Sequence, residues 1–154
     1  MNDNNLRFLK RYEDLQIGDI IKNGTIDTRN NEKLYDYLDD YLLVCFFSTS
    51  CKGCLPVIEE LKDFLKKHPY TNSIVLFDSS VENVEFLQKF YNNNTSVYKI
   101  SKRTMEREFN VYGVPSIFLL NKLGQVIYTE LGYMDDMFDQ LEKTLLKIIH
   151  RLEC

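Results

Sequence analysis

A chain of 154 residues, 44% hydrophobic and 27% charged, suits one domain with a real hydrophobic core. Its net charge of -4 gives no footprint for nucleic acid or an anionic membrane, and its longest apolar run, "YLLVCFF" at 41–47, is too short to span a bilayer. Three prolines and six glycines argue against long linkers, and four cysteines (Cys45, Cys51, Cys54 and Cys154) are too few for a disulfide scaffold.

Residues 1–14 are polar and Asn-rich and read as a flexible N-terminal arm, ahead of a single domain at 15–154. The start, "MNDNNLRFLKRYEDLQ", has no apolar leader, so the chain as it stands reads as cytoplasmic. The alternative is an extracytoplasmic, membrane-anchored protein whose anchor has been removed. "LQIGDIIKNGTI" at 15–26 carries two Gly turn signals and suits a short strand or hairpin. In "NNEKLYDYLDDY" at 30–41, Leu34, Tyr37, Leu38 and Tyr41 recur at helical spacing. "LLVCFF" at 42–47 reads as a central strand buried on both faces.

"LPVIEELKDFLKKH" then places Leu55, Ile58, Leu61, Phe64 and Leu65 on one helical face, with Pro69 helping to end the helix. A second buried strand is expected at 72–80 and a helix at 81–91, with Val84, Leu87, Phe90 and Tyr91 inward. A short extended segment at 95–103 precedes a short helix at 104–113 that stops at Gly113. The apolar runs at 114–121 and 125–132, either side of Gly124, read as a hairpin. Phe138, Leu141, Leu145, Ile148 and Ile149 make the last segment a long amphipathic helix. This order predicts an α/β fold: a mixed central sheet flanked by helices on both faces.

"STSCKGC" at 48–54 sets two thiols three positions apart, between the central strand and a helix. Structural zinc uses this spacing but needs four ligands, and the other candidates (Cys45, Cys154, His68 and His150) form no second close pair. No metal and no cofactor is therefore expected. Lys52 and Gly53 suggest an exposed turn, which argues against two core cysteines. A redox pair fits the position, because unpaired backbone N–H groups at a helix N-terminus favour a thiolate. Cys51 would attack first and the more covered Cys54 would resolve the mixed disulfide. Lys52 either adds positive charge beside the thiolate or is an ordinary solvated lysine. Cys45 reads as a small buried hydrophobe, with a third redox thiol as the other reading, and Cys154 as an idle terminal thiol. Val114-Pro115 opens a buried strand, where the missing proline N–H does no harm. Frequency alone makes that bond trans.

"LLVCFFSTSCKGC" followed by "YGVPSIFLLNKLGQVIYTELGY" resembles the thioredoxin superfamily, and within it the TlpA/ResA-like thiol-disulfide oxidoreductases. Gly18-Asp19 matches an early Gly-Asp element of that group, and the 81–100 region matches its extra helix and strand. The resemblance spans roughly residues 15–148 and implies a thioredoxin-like fold. It implies Cys51 as nucleophile, Cys54 as resolving thiol and Pro115 as a cis proline facing the pair. It implies that Val114 offers backbone hydrogen bonds to an extended substrate, and that Gly132 opens the surface nearby, unless Gly132 is a plain turn glycine.

The chain also departs from that family. Ser50 stands where the family has Trp, Cys45 where it has Asp or Asn, Val57 where it often has Glu, and Glu59 where a helix-kinking Pro is expected. Glu59 or Glu60 could supply a missing proton carrier, or be solvated surface residues. The implied activity is exchange of protein disulfides, in the reducing direction. It needs a protein or peptide thiol/disulfide substrate and an upstream redox partner, no nucleic acid, and a membrane only through a removed N-terminal anchor. The rival reading is a non-catalytic thioredoxin-like module that binds a peptide or protein. A peroxidase-like relative fits poorly, because no proline precedes Cys51 in "STS".

Overall fold

The apolar run around Val44 becomes the middle strand of the molecule. The computed structural model describes residues 14–153; the segment at 1–13 and Cys154, both given roles above, lie outside the described residues. The chain runs through β1 (Thr25–Asp27), β2 (Glu32–Lys33), a 3-10 turn (Leu34–Tyr37), β3 (Tyr41–Ser48), α1 (Cys54–Lys67), β4 (Ser73–Asp78) and α2 (Val81–Phe90). It continues through β5 (Ser96–Lys99), α3 (Lys102–Phe109), β6 (Ser116–Asn121), β7 (Val126–Leu131) and α4 (Met137–Glu153).

Five strands form one sheet in the order β5-β4-β3-β6-β7. β3 pairs in parallel with β4, and β4 with β5, while β3–β6 and β6–β7 are antiparallel. This is the mixed sheet expected from the sequence. Every residue of β3 is buried, because alternate side chains enter two different cores. Leu43, Cys45 and Phe47 pack with Val57, Leu61 and Leu65 of α1, Leu87 of α2 and Leu141 and Leu145 of α4. Leu42, Val44 and Phe46 pack on the other face with Met105 and Phe109 of α3, and with Leu34. Helices therefore cover both faces.

Three expectations need correction. The helical spacing at 30–41 does not give a helix, because its members divide between the two cores. Leu34 packs on one face of the sheet and Tyr41 on the other. Tyr41 is also claimed by β6, opposite Asn121, which leaves one 3-10 turn, too short to propagate. The helix expected at 104–113 begins at Lys102, where Ser101 Oγ accepts from Thr104 N–H. It ends at Phe109 instead of running to Gly113, because Asn110 takes the left-handed conformation (φ 57°) and closes it. Leu55 is not on the buried face of α1: it is 60% exposed, and Cys54 and Val57 take the inward positions. No helix among the described residues is long and apolar enough to cross a membrane.

Candidate active site

The loop 48–53 carries Cys51 from the end of β3 to the start of α1. Buried Ser48 anchors it, donating from Oγ to Asp78 Oδ2 at 3.0 Å at the matching end of β4. Ser50 N–H donates to Ser48 Oγ at 3.3 Å, and Thr49 N–H to the Asp78 carbonyl at 3.2 Å. Two further turns follow, Cys51 N–H to the Ser48 carbonyl at 3.2 Å and Cys54 N–H to the Cys51 carbonyl at 3.3 Å. Gly53 is the N-cap of α1, and it gives the helix no side-chain cap. Cys51 thus sits just ahead of the helix, half-buried, while Cys54 opens the first turn and is 1% exposed.

The second wall of the site is the loop before β6. Its Val114–Pro115 peptide bond is cis, as the resemblance implied and against the frequency argument. The Cys51 thiol donates to the Val114 carbonyl at 3.3 Å. A methyl group on Gly53 would lie 3.8 Å from Pro115 Cδ and 4.0 Å from Cys51 Sγ, so Gly53 borders both groups. Gly132 N–H donates to the Pro115 carbonyl at 2.8 Å. Gly132 has φ 86°, a conformation that favours glycine, and a Cβ there would meet nothing within 4 Å. Its conformation is what calls for glycine, since the space a side chain would enter is already open.

Sequence reasoning missed what holds this loop. Asp14 Oδ1 accepts from Tyr112 N–H at 2.6 Å and from Gly113 N–H at 3.3 Å. Ser116 Oγ, 1% exposed, donates to the Gly113 carbonyl at 2.5 Å. Nothing in the local pattern marks Asp14, since its partners lie 98 and 99 positions away.

The thiols differ in their chemistry. Burial, and then a hydrogen bond with Cys51, push the Cys54 thiol up to about 12; a backbone hydrogen bond at Ser48 opposes this. Cys45, fully buried in β3, is pushed up by burial alone. Both side chains hold their protons more tightly in the folded protein than in the unfolded chain. Their contribution to stability is therefore complete below the ordinary thiol value near 9 and is lost as pH rises above it. Cys45→Val should match the wild type in urea melts at pH 7 within ~1 kcal/mol and lose less stability between pH 9 and pH 11. Identical losses would show that Cys45 does not contribute to the alkaline limb.

The remaining candidates fall in different places. Lys52 and Glu59 are exposed. Glu60 is half-buried, and its Oε2 is buried with no hydrogen-bond partner. The Glu60 carboxyl is the main cause raising the Tyr133 hydroxyl above its usual range. His68 lies at the far end of α1 and binds Glu142 at 2.8 Å, so it is not brought to the cysteines. Among the described residues no three His, Cys, Asp or Glu side chains are placed to hold a metal ion.

A thioredoxin-like domain model matches residues 31–149, a stretch that includes both thiols and Pro115. The chain belongs to the thioredoxin-like family. A curated relative is the sporulation thiol-disulfide oxidoreductase A of Bacillus subtilis (strain 168), 26% identical over 96 residues. That match takes in 58% of this chain and 58% of the relative, so the chain spans only somewhat more than half the length of that protein. Among solved structures, StoA from Bacillus subtilis has 21% identity and a TM-score of 0.56, covering 82% of this chain and 96% of that one. A thiol:disulfide interchange protein from a Bacteroides species has 20% identity and a TM-score of 0.62, covering 84% and 90%. The thioredoxin domain of a thiol-disulfide oxidoreductase from Bacteroides vulgatus has 20% identity and a TM-score of 0.63, covering 84% and 98%. The thioredoxin-like fold expected from the motifs is thus present, and the thiol-disulfide names of these relatives agree with the TlpA/ResA-like resemblance.

Proposed function

We propose that this thioredoxin-like protein exchanges disulfides with protein substrates through Cys51 and Cys54, working as a reductant. One observation carries the reading: a half-exposed Cys51 thiol lies between a buried partner thiol and the carbonyl of Val114. In the first step the Cys51 sulfur, as thiolate, attacks one sulfur of a substrate disulfide. The substrate S–S bond breaks, a Cys51–substrate disulfide forms, and the departing sulfur takes up a proton. Cys54 then gives up its proton and attacks Cys51 Sγ. The second substrate thiol is released, and the Cys51–Cys54 disulfide remains. The substrate gains two electrons and two protons, and the protein loses them; a dithiol reductant must restore the pair. An extended substrate would bond to the backbone at Val114 once Cys51 releases that carbonyl. Gly132 leaves room beside it. The thiol-disulfide names of the relatives support the same chemistry.

The test is a redox titration of the purified protein in glutathione buffers, with free thiols counted after acid quenching. A Cys51–Cys54 disulfide should form with a midpoint near the thioredoxin value of about -270 mV. A midpoint near about -120 mV would make the protein an oxidant. Failure to form the bond in any buffer would leave a binding module without redox activity.

A further inference from the structure

The face of the sheet away from Cys54 carries a concavity of its own. A cleft of about 370 Å³ lies between the turn after β1, the carboxyl end of β5 and the helix α3. Each of these three elements gives it one exposed cation: Arg29, Lys99 and Arg107. Among the described residues neither Arg29 nor Lys99 forms an ion pair, and Arg107 meets Glu108 through Nε at 3.7 Å. Two carboxylates also line the cleft, and both are engaged. Asp27 accepts from Arg29 N–H at 2.8 Å and from Asn30 Nδ2 at 3.3 Å, and Glu108 faces Arg107.

Stability does not explain this placement of charge. In a chain of net charge -4, the stretch "KISKRTMER" at 99–107 holds Lys99, Lys102, Arg103 and Arg107 against Glu106 alone. Lys102 and Arg103 fall in the first turn of α3, which has no acidic residue. Cations there oppose the helix dipole, and a bound anion would offset them. The rest of the lining is set in advance. Ile26 and Ile100 are almost fully buried. Tyr98 stands edge-on to Tyr37 at 5.7 Å, and the two hydroxyls share a hydrogen bond. Ser101 Oγ and Thr104 Oγ1 lie 2.8 Å apart. One hydroxyl hydrogen is used between them, and the other is free to donate. Because β5 runs parallel to β4 and β3, its carboxyl end shares a sheet edge with the Cys51 loop. That is the edge at which open α/β sheets bind ligands.

We propose that this cleft binds a small organic phosphate, with the phosphate among Arg29, Lys99 and Arg107 and the organic part on Ile26, Ile100 and Tyr98. Binding here requires neither Cys51 nor Cys54. Three cations from separate elements suit a group with more than one negative charge, and a single carboxylate would leave part of that charge unanswered. Two of the three are arginines, whose planar guanidinium matches two phosphate oxygens at once. The volume falls within the ~300–1,000 Å³ of small-ligand sites. The apolar floor suits a ring or a short carbon chain.

The experiment titrates phenyl phosphate into the isotope-labelled full chain and follows the backbone amides by NMR. Saturating shifts should centre on residues 27–29 and 98–104. Phenol, which lacks the charge, and inorganic phosphate, which lacks the ring, should both bind more weakly. Arg29→Gln and Lys99→Gln should each weaken phenyl phosphate by ~10-fold, the scale of one hydrogen bond to a charged group. Both residues are exposed, so the free variants should keep the wild-type spectrum away from the cleft. Lys122→Gln, at an exposed cation elsewhere, should leave binding unchanged, and so should Cys51→Ser. Shifts that never saturate, or a loss as large in Lys122→Gln, would reduce the effect to general charge attraction and overturn the site. Unchanged affinity in both Arg29→Gln and Lys99→Gln would overturn it too. Binding lost in Cys51→Ser would move the ligand to the thiols and end the proposal. A phosphoserine peptide, otherwise alanine, that binds ~10-fold tighter than phenyl phosphate would assign the cleft to a modified protein segment and overturn the small ligand.

Discussion

Cys54→Ser should convert the protein from a turnover catalyst into a trap. Incubated with a disulfide substrate, it should accumulate a covalent adduct through Cys51, visible by mass and cleared by dithiothreitol. Cys51→Ser should form no adduct and should lose exchange by on the order of 10³-fold or more. The asymmetry follows from the site. Cys51 is half-exposed with its sulfur at the Val114 carbonyl. Cys54 is 1% exposed and carries a thiol pushed up to about 12 by burial and its bond with Cys51. A buried, protonated thiol is a poor first nucleophile, but it is well placed once a disulfide stands directly beside it. Turnover that survives in Cys51→Ser, or an adduct held by Cys54, would reverse the assigned roles.

Phe46→Ala should cost about 3–5 kcal/mol of stability, the usual result of emptying a large aromatic site in a core. Phe46 is fully buried in β3. Its ring meets Phe118 edge-on at 5.9 Å and Phe109 at 5.7 Å, so it joins the central strand to β6 and α3. A domain stable by about 5–15 kcal/mol would lose much of its margin. At roughly 2–4 °C per kcal/mol for this size, the melting temperature should fall by about 6–20 °C. Leu55→Ala, on a 60% exposed residue, should shift it far less. A small effect of Phe46→Ala in thermal melts would mean that the face covered by α3 contributes little to the fold.

Much of this was legible in the chain because it was local. The strand-length run at 42–47, the helical period after it and the Gly124 hairpin each rest on backbone and side-chain periodicity over a few residues, and the observed elements follow them closely. The helix expected at 30–41 did not form because periodicity cannot say which of two cores a side chain enters. Leu34 and Tyr41 look equivalent in sequence and lie on opposite faces of the sheet.

The sequence by itself determined that two thiols would stand between a buried strand and a helix, with a proline opening a later strand of the same sheet. Those are facts of spacing and alternation, each read from its own short stretch of chain, 42–65 for the thiols and 114–121 for the proline. Only the tertiary structure decided what those groups meet. β3 and β6 lie side by side, which brings Val114 and Pro115 to Cys51 across 63 positions. The same folding brings Asp14 under the loop that carries the proline. Contacts at that separation depend on how sheets and helices stack, and stacking is governed by shape and burial summed over the whole chain, which no short window of residues contains.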